Sequence, residues 1–207
     1  MRIFPGERRA SLSVRELADF ALGPRRRLGG PSGTWRAELG REWHSSLRAE
    51  SELLGNEGVE VRHEVTVRGI LLRGGWALEL EGRVDKLVEN NGLALVSELK
   101  TTFLPLPSSE ESLREKYPHY FLQVSAYLLL FRLLPEYAQK QGVGELRFAD
   151  VSSGGFIQTL PVEHYDDEAL EKQVESLLEF LEERRLNRQC LSTLSFNNPF
   201  ERSEEHT

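Results

Sequence analysis

Asp85, Glu98 and Lys100 are the residues of this chain whose types and spacing could do chemistry together. Asp85 closes the segment Gly82-Arg83-Val84-Asp85, and Glu98-Leu99-Lys100 ends an apolar stretch. Side chains alternate along a strand, so Glu98 and Lys100 share one face while Leu99 points to the other. Asn91-Gly92, between the two segments, is a two-residue hairpin signal. Such a loop pairs Asn90 with Leu93, and the same register sets Asp85 across from Glu98, Cβ atoms about 5 Å apart. A slip of one residue would undo the pairing. Facing carboxylates repel, and a divalent cation between them removes the conflict. Oxygen ligands favour Mg²⁺ or Mn²⁺. Lys100, one pleat on, would stand near a phosphate bound to that cation. These parts suit metal-assisted phosphodiester hydrolysis. Taken alone, Glu-x-Lys equally reads as the charged face of an exposed strand.

Two further patterns stand in order with this pair. Gln123 and Tyr127 lie one turn apart on one face of an expected helix, a spacing that also serves packing. Upstream, Gly40-Arg41-Glu42-Trp43-His44 places a histidine on another expected helix, where it could ligate, cap or pack. In this order the four segments resemble motifs of the PD-(D/E)xK nuclease superfamily, most of all its RecB-like branch. The Gly-x-x-x-His, Gly-x-x-Asp, Glu-x-Lys-Thr and Gln-x-x-x-Tyr patterns agree over about residues 11–135.

The resemblance implies roles. His44, Asp85 and Glu98 would bind metal, helped by the Leu99 carbonyl. Lys100 would orient or activate the attacking water and stabilise developing phosphate charge. Gln123 and Tyr127 would order the site or touch DNA. It also implies Mg²⁺ or Mn²⁺ as cofactor, DNA as substrate, and a helicase domain or subunit as a frequent partner. Two departures stand out. Several relatives hold an iron–sulfur cluster on four cysteines, whereas this chain has Cys190 alone, so no such cluster is expected. Glutamate begins the (Asp/Glu)-x-Lys motif, a variant the superfamily accommodates.

Arg25, Arg26 and Arg27 sit in a Gly- and Pro-rich loop and are the candidate phosphate contacts for DNA. A solvated loop is the plainer reading. Gly23 to Gly30 is not a nucleotide-binding P-loop, because no Gly-Lys-Ser/Thr follows. The net charge of −7 excludes a uniformly basic nucleic-acid binder but allows a local basic patch. His63, His119 and His164 read as structural or solvent-facing.

The elements that must position these residues follow from periodicity. Residues 1–10 read as an irregular arm. Ser13 followed by Glu16 is a capping pattern for a helix over 14–21. A second helix is expected over 34–54. Residues 59–68, 76–88 and 93–100 alternate or run apolar and form an antiparallel meander. Residues 103–118 are a long connection, of the kind that often carries function. Helices are expected over 119–134 and 166–188, with strands over 145–151 and 155–161. The order gives an α/β (α+β) fold with a restriction-endonuclease-like mixed central sheet flanked by helices. We expect one domain over 1–192, then a patternless tail or linker over 193–207 leading to a further domain or to a natural terminus.

No apolar run approaches the roughly 20 residues of a membrane helix. The start lacks a signal-peptide core, so a cytoplasmic protein is expected. The leading expectation is a metal-dependent DNA nuclease acting on single strands or ends in DNA repair or processing. The alternative is a catalytically silent DNA-binding or scaffold module within a helicase complex.

Overall fold

The computed structural model describes residues 1–20, 38, 41–42, 45, 58–90, 92–102, 106–137, 139–150, 156–162 and 164–196. Seven strands form one mixed sheet: β1 Arg2–Phe4, β2 Arg9–Ser13, β3 Glu60–Arg73, β4 Trp76–Glu89, β5 Leu93–Thr102, β6 Gln141–Asp150 and β7 Phe156–Pro161. Among the described residues, the helices α1 Val14–Asp19, α2 Glu110–Lys116, α3 Pro118–Leu133 and α4 His164–Phe196 accompany it.

The long β3–β4 hairpin is the frame. Gly74 and Gly75 turn it at φ +55° and +74°, a conformation that costs glycine little. One edge of β4 carries β3 from Glu60 to Arg73, with one rung missing at Glu64. The other edge is shared. β2 lies parallel to its first half, from Arg9 opposite Ala77 to Ser13 opposite Glu81. β5 lies antiparallel to its last part, from Lys86 opposite Ser97 to Glu89 opposite Ala94. Residues 82–85 fall between these two partners, so the sheet forks at Gly82-Arg83-Val84-Asp85. The expected register holds from Glu89–Ala94 to Lys86–Ser97, with the Asn90 N–H donating to the Leu93 carbonyl at 3.1 Å, but the ladder stops before the expected Asp85–Glu98 rung, because the strands part there.

β5 continues the sheet as a parallel partner of β6 over ten residue pairs, and β7 closes it antiparallel to β6. The β5–α3–β6 crossover buries α3. Phe121, Val124, Ala126, Leu130 and Phe131 of α3 all join the core, so this helix is apolar nearly all round. α1 starts with the expected capping box: the Ser13 hydroxyl accepts from the Glu16 N–H, and Glu16 reaches back to the Ser13 N–H. α4 packs Leu170, Val174, Leu177 and Leu181 into the same core.

Four other expectations change. Residues 1–10 are not an irregular arm, because they supply β1 and the first two residues of β2. Ala10 and Leu12 are buried, and the partner that holds their strand lies far along the chain, where local periodicity cannot reveal it. The 103–118 connection contains α2, capped by the Ser109 hydroxyl and pinned by a bidentate Arg114–Asp166 pair at 2.7 Å. β6 begins at Gln141, earlier than its apolar alternation suggested. Residues 193–196, the start of the patternless stretch, still belong to α4, which runs to Phe196; residues 197–207 lie outside the described residues. Most of the helix expected over 34–54 lies outside the described residues.

Candidate active site

The site is built where β4 and β5 part. The last rung of their ladder is Lys86 opposite Ser97. One residue on, the Asp85 carboxylate takes over and accepts the Leu99 N–H at 2.9 Å. An extended residue presents its N–H and C=O to the same edge, so the Leu99 carbonyl faces this opening too.

Glu98 and Lys100 share a face of β5, as their spacing requires. Lys100 Nζ donates to Glu98 Oε1 at 2.6 Å and to Gln123 Oε1 at 2.9 Å. Gln123 Nε2 donates to the same Glu98 oxygen at 2.7 Å. Glu98 is 3% exposed and Gln123 7%. A buried carboxylate needs such partners, since burying a lone charge is strongly unfavourable.

Tyr127 extends the network to β4. Its hydroxyl accepts from Gln123 Nε2 at 3.1 Å and donates to the Arg83 carbonyl at 2.9 Å. Burial, and then the Glu98 carboxylate, push its hydroxyl well above the ordinary phenol range, so it stays a donor. Its ring edge abuts Gly82. A Cβ there would stand 2.5 Å from Tyr127 Cε1 and 2.9 Å from Val14 Cγ2. Gly82 is therefore what allows α3 to approach the fork, and the Gly-x-x-Asp and Gln-x-x-x-Tyr segments are two halves of one contact. Both Gln123 and Tyr127 are buried, and their polar atoms are spent on Glu98, Lys100 and the Arg83 carbonyl.

Burial pushes the Asp85 carboxyl above the ordinary carboxylate range, while the Leu99 N–H, Lys100 and Arg83 pull it back and Glu64 adds to the rise. The Lys100 ammonium also lies 5.0 Å from the centroid of the Tyr120 ring, a cation–π contact. Sequence reasoning missed both Tyr120 and Glu64. Tyr120 had a signal, being one turn before Gln123 on the same helix face. Glu64 had none, since its significance lies in backbone geometry.

His44 and Arg25, Arg26 and Arg27 lie outside the described residues. Among the described residues no group of three His, Cys, Asp or Glu side chains gathers as a metal cage. Asp85, Glu98 and the Leu99 carbonyl still make an all-oxygen set around one opening, and that chemistry fits a hard divalent cation completed by water and substrate oxygens.

A family model, that of the PD-(D/E)XK nuclease superfamily, matches residues 5–194. The chain belongs to the PD-(D/E)XK nuclease superfamily. The superfamily's mixed sheet flanked by helices is the fold observed. The chain is also similar to the crystal structure of SSO0001, at 22% identity over 82% of this chain and 76% of that one, with a TM-score of 0.51. An alkaline exonuclease (LHK-Exo) from Laribacter hongkongensis is similar at 15% identity over 88% of this chain and 94% of that one, with a TM-score of 0.44. No curated protein matches the chain. Among the described residues, no helix is long and apolar enough to cross a membrane.

Proposed function

We propose that this superfamily member hydrolyses phosphodiester bonds in DNA, using a divalent cation held by Asp85, Glu98, the Leu99 carbonyl and His44. The observation that carries the reading is the fork itself. Asp85 and Glu98 stand on the two diverging strands, and Lys100 is held beside them by Gln123. A bound Mg²⁺ or Mn²⁺ would supply Lewis acidity toward a phosphate oxygen and lower the pKa of a coordinated water.

The chain's own residues do the rest. Asp85 and Glu98 offer carboxylate oxygens on one side of the opening. Lys100 keeps an ammonium, partly exposed at 19%, where a phosphate would gather charge as the bond breaks. Gln123 holds both Glu98 and Lys100, so their spacing survives substrate entry. Tyr127 fixes Gln123 in turn. Arg83 borders an open cleft of about 420 Å³ together with Arg2, Ser11 and Thr66. This cleft offers a strand a route past the fork.

The substrate is single-stranded DNA or a DNA end, read in part by Arg25, Arg26 and Arg27. The order of the four motifs supports a RecB-like protein working with a helicase domain or subunit in DNA repair or processing in the cytoplasm. The nuclease domain on this reading covers residues 1–192, and 193–207 is a tail or linker. The test is cleavage of labelled single- and double-stranded DNA with Mg²⁺ or Mn²⁺, with and without chelator. Asp85→Ala should abolish cutting. Metal-independent DNA binding with no cutting under any ion would sink the nuclease reading and leave a silent scaffold module.

A further inference from the structure

The β3–β4 ladder pairs the residues from Glu60 to Arg73 with β4, and the rung of Glu64 is the one it skips. The register is the same on both sides, with His63 opposite Lys86 and Val65 opposite Val84. Nothing is inserted, so this is a local opening and not a bulge. The skipped rung faces Asp85.

Glu64 has a φ of +52°. Among the described residues only Arg8 shares a positive φ without being glycine, and Arg8 ends a short 3-10 turn, where a left-handed residue is ordinary. Glu64 stands in mid-strand. A glutamate is strained in that conformation and keeps it only when its surroundings compel it. The carboxylate lies 3.7 Å from the Arg83 guanidinium, but both side chains are well exposed, at 45% and 65%. Exposed pairs of this kind contribute little. The compensation lies in what the opening allows. Neither the β3 nor the β5 ladder runs through Asp85, and its carboxylate swings onto the Leu99 N–H instead.

We propose that Glu64 is a positioning residue of the site: its left-handed backbone opens the rung facing Asp85 and so aims Asp85 at Leu99 and the mouth beside Glu98. The consequence for catalysis rests on the nuclease reading; the geometry does not.

Backbone and carboxylate are separated by three variants of the full chain. Glu64→Gly and Glu64→Asn accept the left-handed turn and lack the carboxylate. Glu64→Val resists the turn and favours a regular rung. The primary readout is hydrogen exchange at the Leu99 amide, which needs no activity. Glu64→Gly and Glu64→Asn should keep Leu99 exchange within about threefold of wild type, and Glu64→Val should speed it about tenfold or more. In parallel, Glu64→Val should lose about 10–100-fold in kcat with KM nearly unchanged, and the Gly and Asn variants should restore most of that loss. If Glu64→Val does not fold, Glu64→Ala meets the same backbone penalty with a smaller side chain and takes its place. Wild-type exchange at Leu99 in the Val or Ala variant overturns the proposal. So does a loss in Gly and Asn equal to that in Val, because the carboxylate would then be the agent. A wild type that cuts no DNA refutes the nuclease reading alone, since the exchange result still decides the role of Glu64.

Discussion

On the proposed nuclease reading, Lys100 is the residue whose role separates metal binding from turnover. Its ammonium touches Glu98, Gln123 and the Tyr120 ring, and as a cation it cannot ligate a metal. Lys100→Met keeps the apolar stem and removes the charge. Cleavage should fall by about 10²–10³, as for removal of one electrostatic group at a reacting centre. Calorimetric Mn²⁺ binding should persist or tighten, because a positive neighbour of the cation has gone. A folded Lys100→Met that cuts at the wild-type rate would make Lys100 a surface lysine. Glu98→Ala is expected to behave differently and lose both properties. It takes away a proposed metal ligand and leaves Lys100 and Gln123 without their buried carboxylate partner.

At the scale of elements, the decisive contact is α3 against the fork in β4. Gly82→Ala forces a methyl group into the Tyr127 ring and Val14. Overpacking of this kind typically costs about 1–3 kcal/mol. The ring is also the anchor of Gln123, so activity should drop along with the midpoint of thermal unfolding. Tyr127→Phe keeps the packing and removes only the hydroxyl that joins Gln123 to the Arg83 carbonyl. Its stability cost should be about 1 kcal/mol, the usual net worth of one hydrogen bond. A Gly82→Ala protein that melts like wild type would show that α3 does not sit as closely as described. Similar logic applies to α1, where Ser13→Ala removes the capping box and should cost about 1 kcal/mol.

At the scale of the whole molecule, distant segments are tied by a few ionic links. Glu89, 5% exposed at the end of β4, accepts from Arg62 of β3 and from Lys140 just before β6. Burial pushes its carboxyl up, but Lys140 and Arg62 more than reverse this and hold it below its ordinary value. A depressed carboxylate contributes stability above its unfolded pKa, and that contribution is lost as pH falls through the folded one. Wild type should therefore be more stable than Glu89→Gln by about 1–2 kcal/mol near neutrality. The gap should close in acid, below about pH 4. Equal melting temperatures at neutral pH would show the link to be idle. The substrate also belongs to this scale. On the proposed reading, in which the cleft beside Arg83 and the arginines at 25–27 take a single strand, single-stranded DNA should be cut faster than blunt duplex. Faster cutting of a closed duplex circle would count against it.

Much of this was legible in the residues alone, and the reason is locality. Alternation identified β3, β4 and β5, and Asn91-Gly92 set their register, because hairpin geometry depends on neighbours in the chain. Strand parity put Glu98 and Lys100 on one face. Helical spacing paired Gln123 with Tyr127, and Ser13 with Glu16 started α1. Other features were decided only in three dimensions. β2 is a strand because β4 receives it across a long stretch of chain, and no periodicity in five residues records a parallel partner. The fork exists because β2 and β5 divide one edge of β4 between them. The repulsion expected of Asp85 facing Glu98 is eased by partners from elsewhere: Leu99 takes one carboxylate, while Lys100 and Gln123 hold the other. The turn at Glu64 is a backbone angle, and nothing in the identity of a glutamate announces it. Types and spacing determined which groups meet; the packing of α3 against the opened sheet decided how they are held.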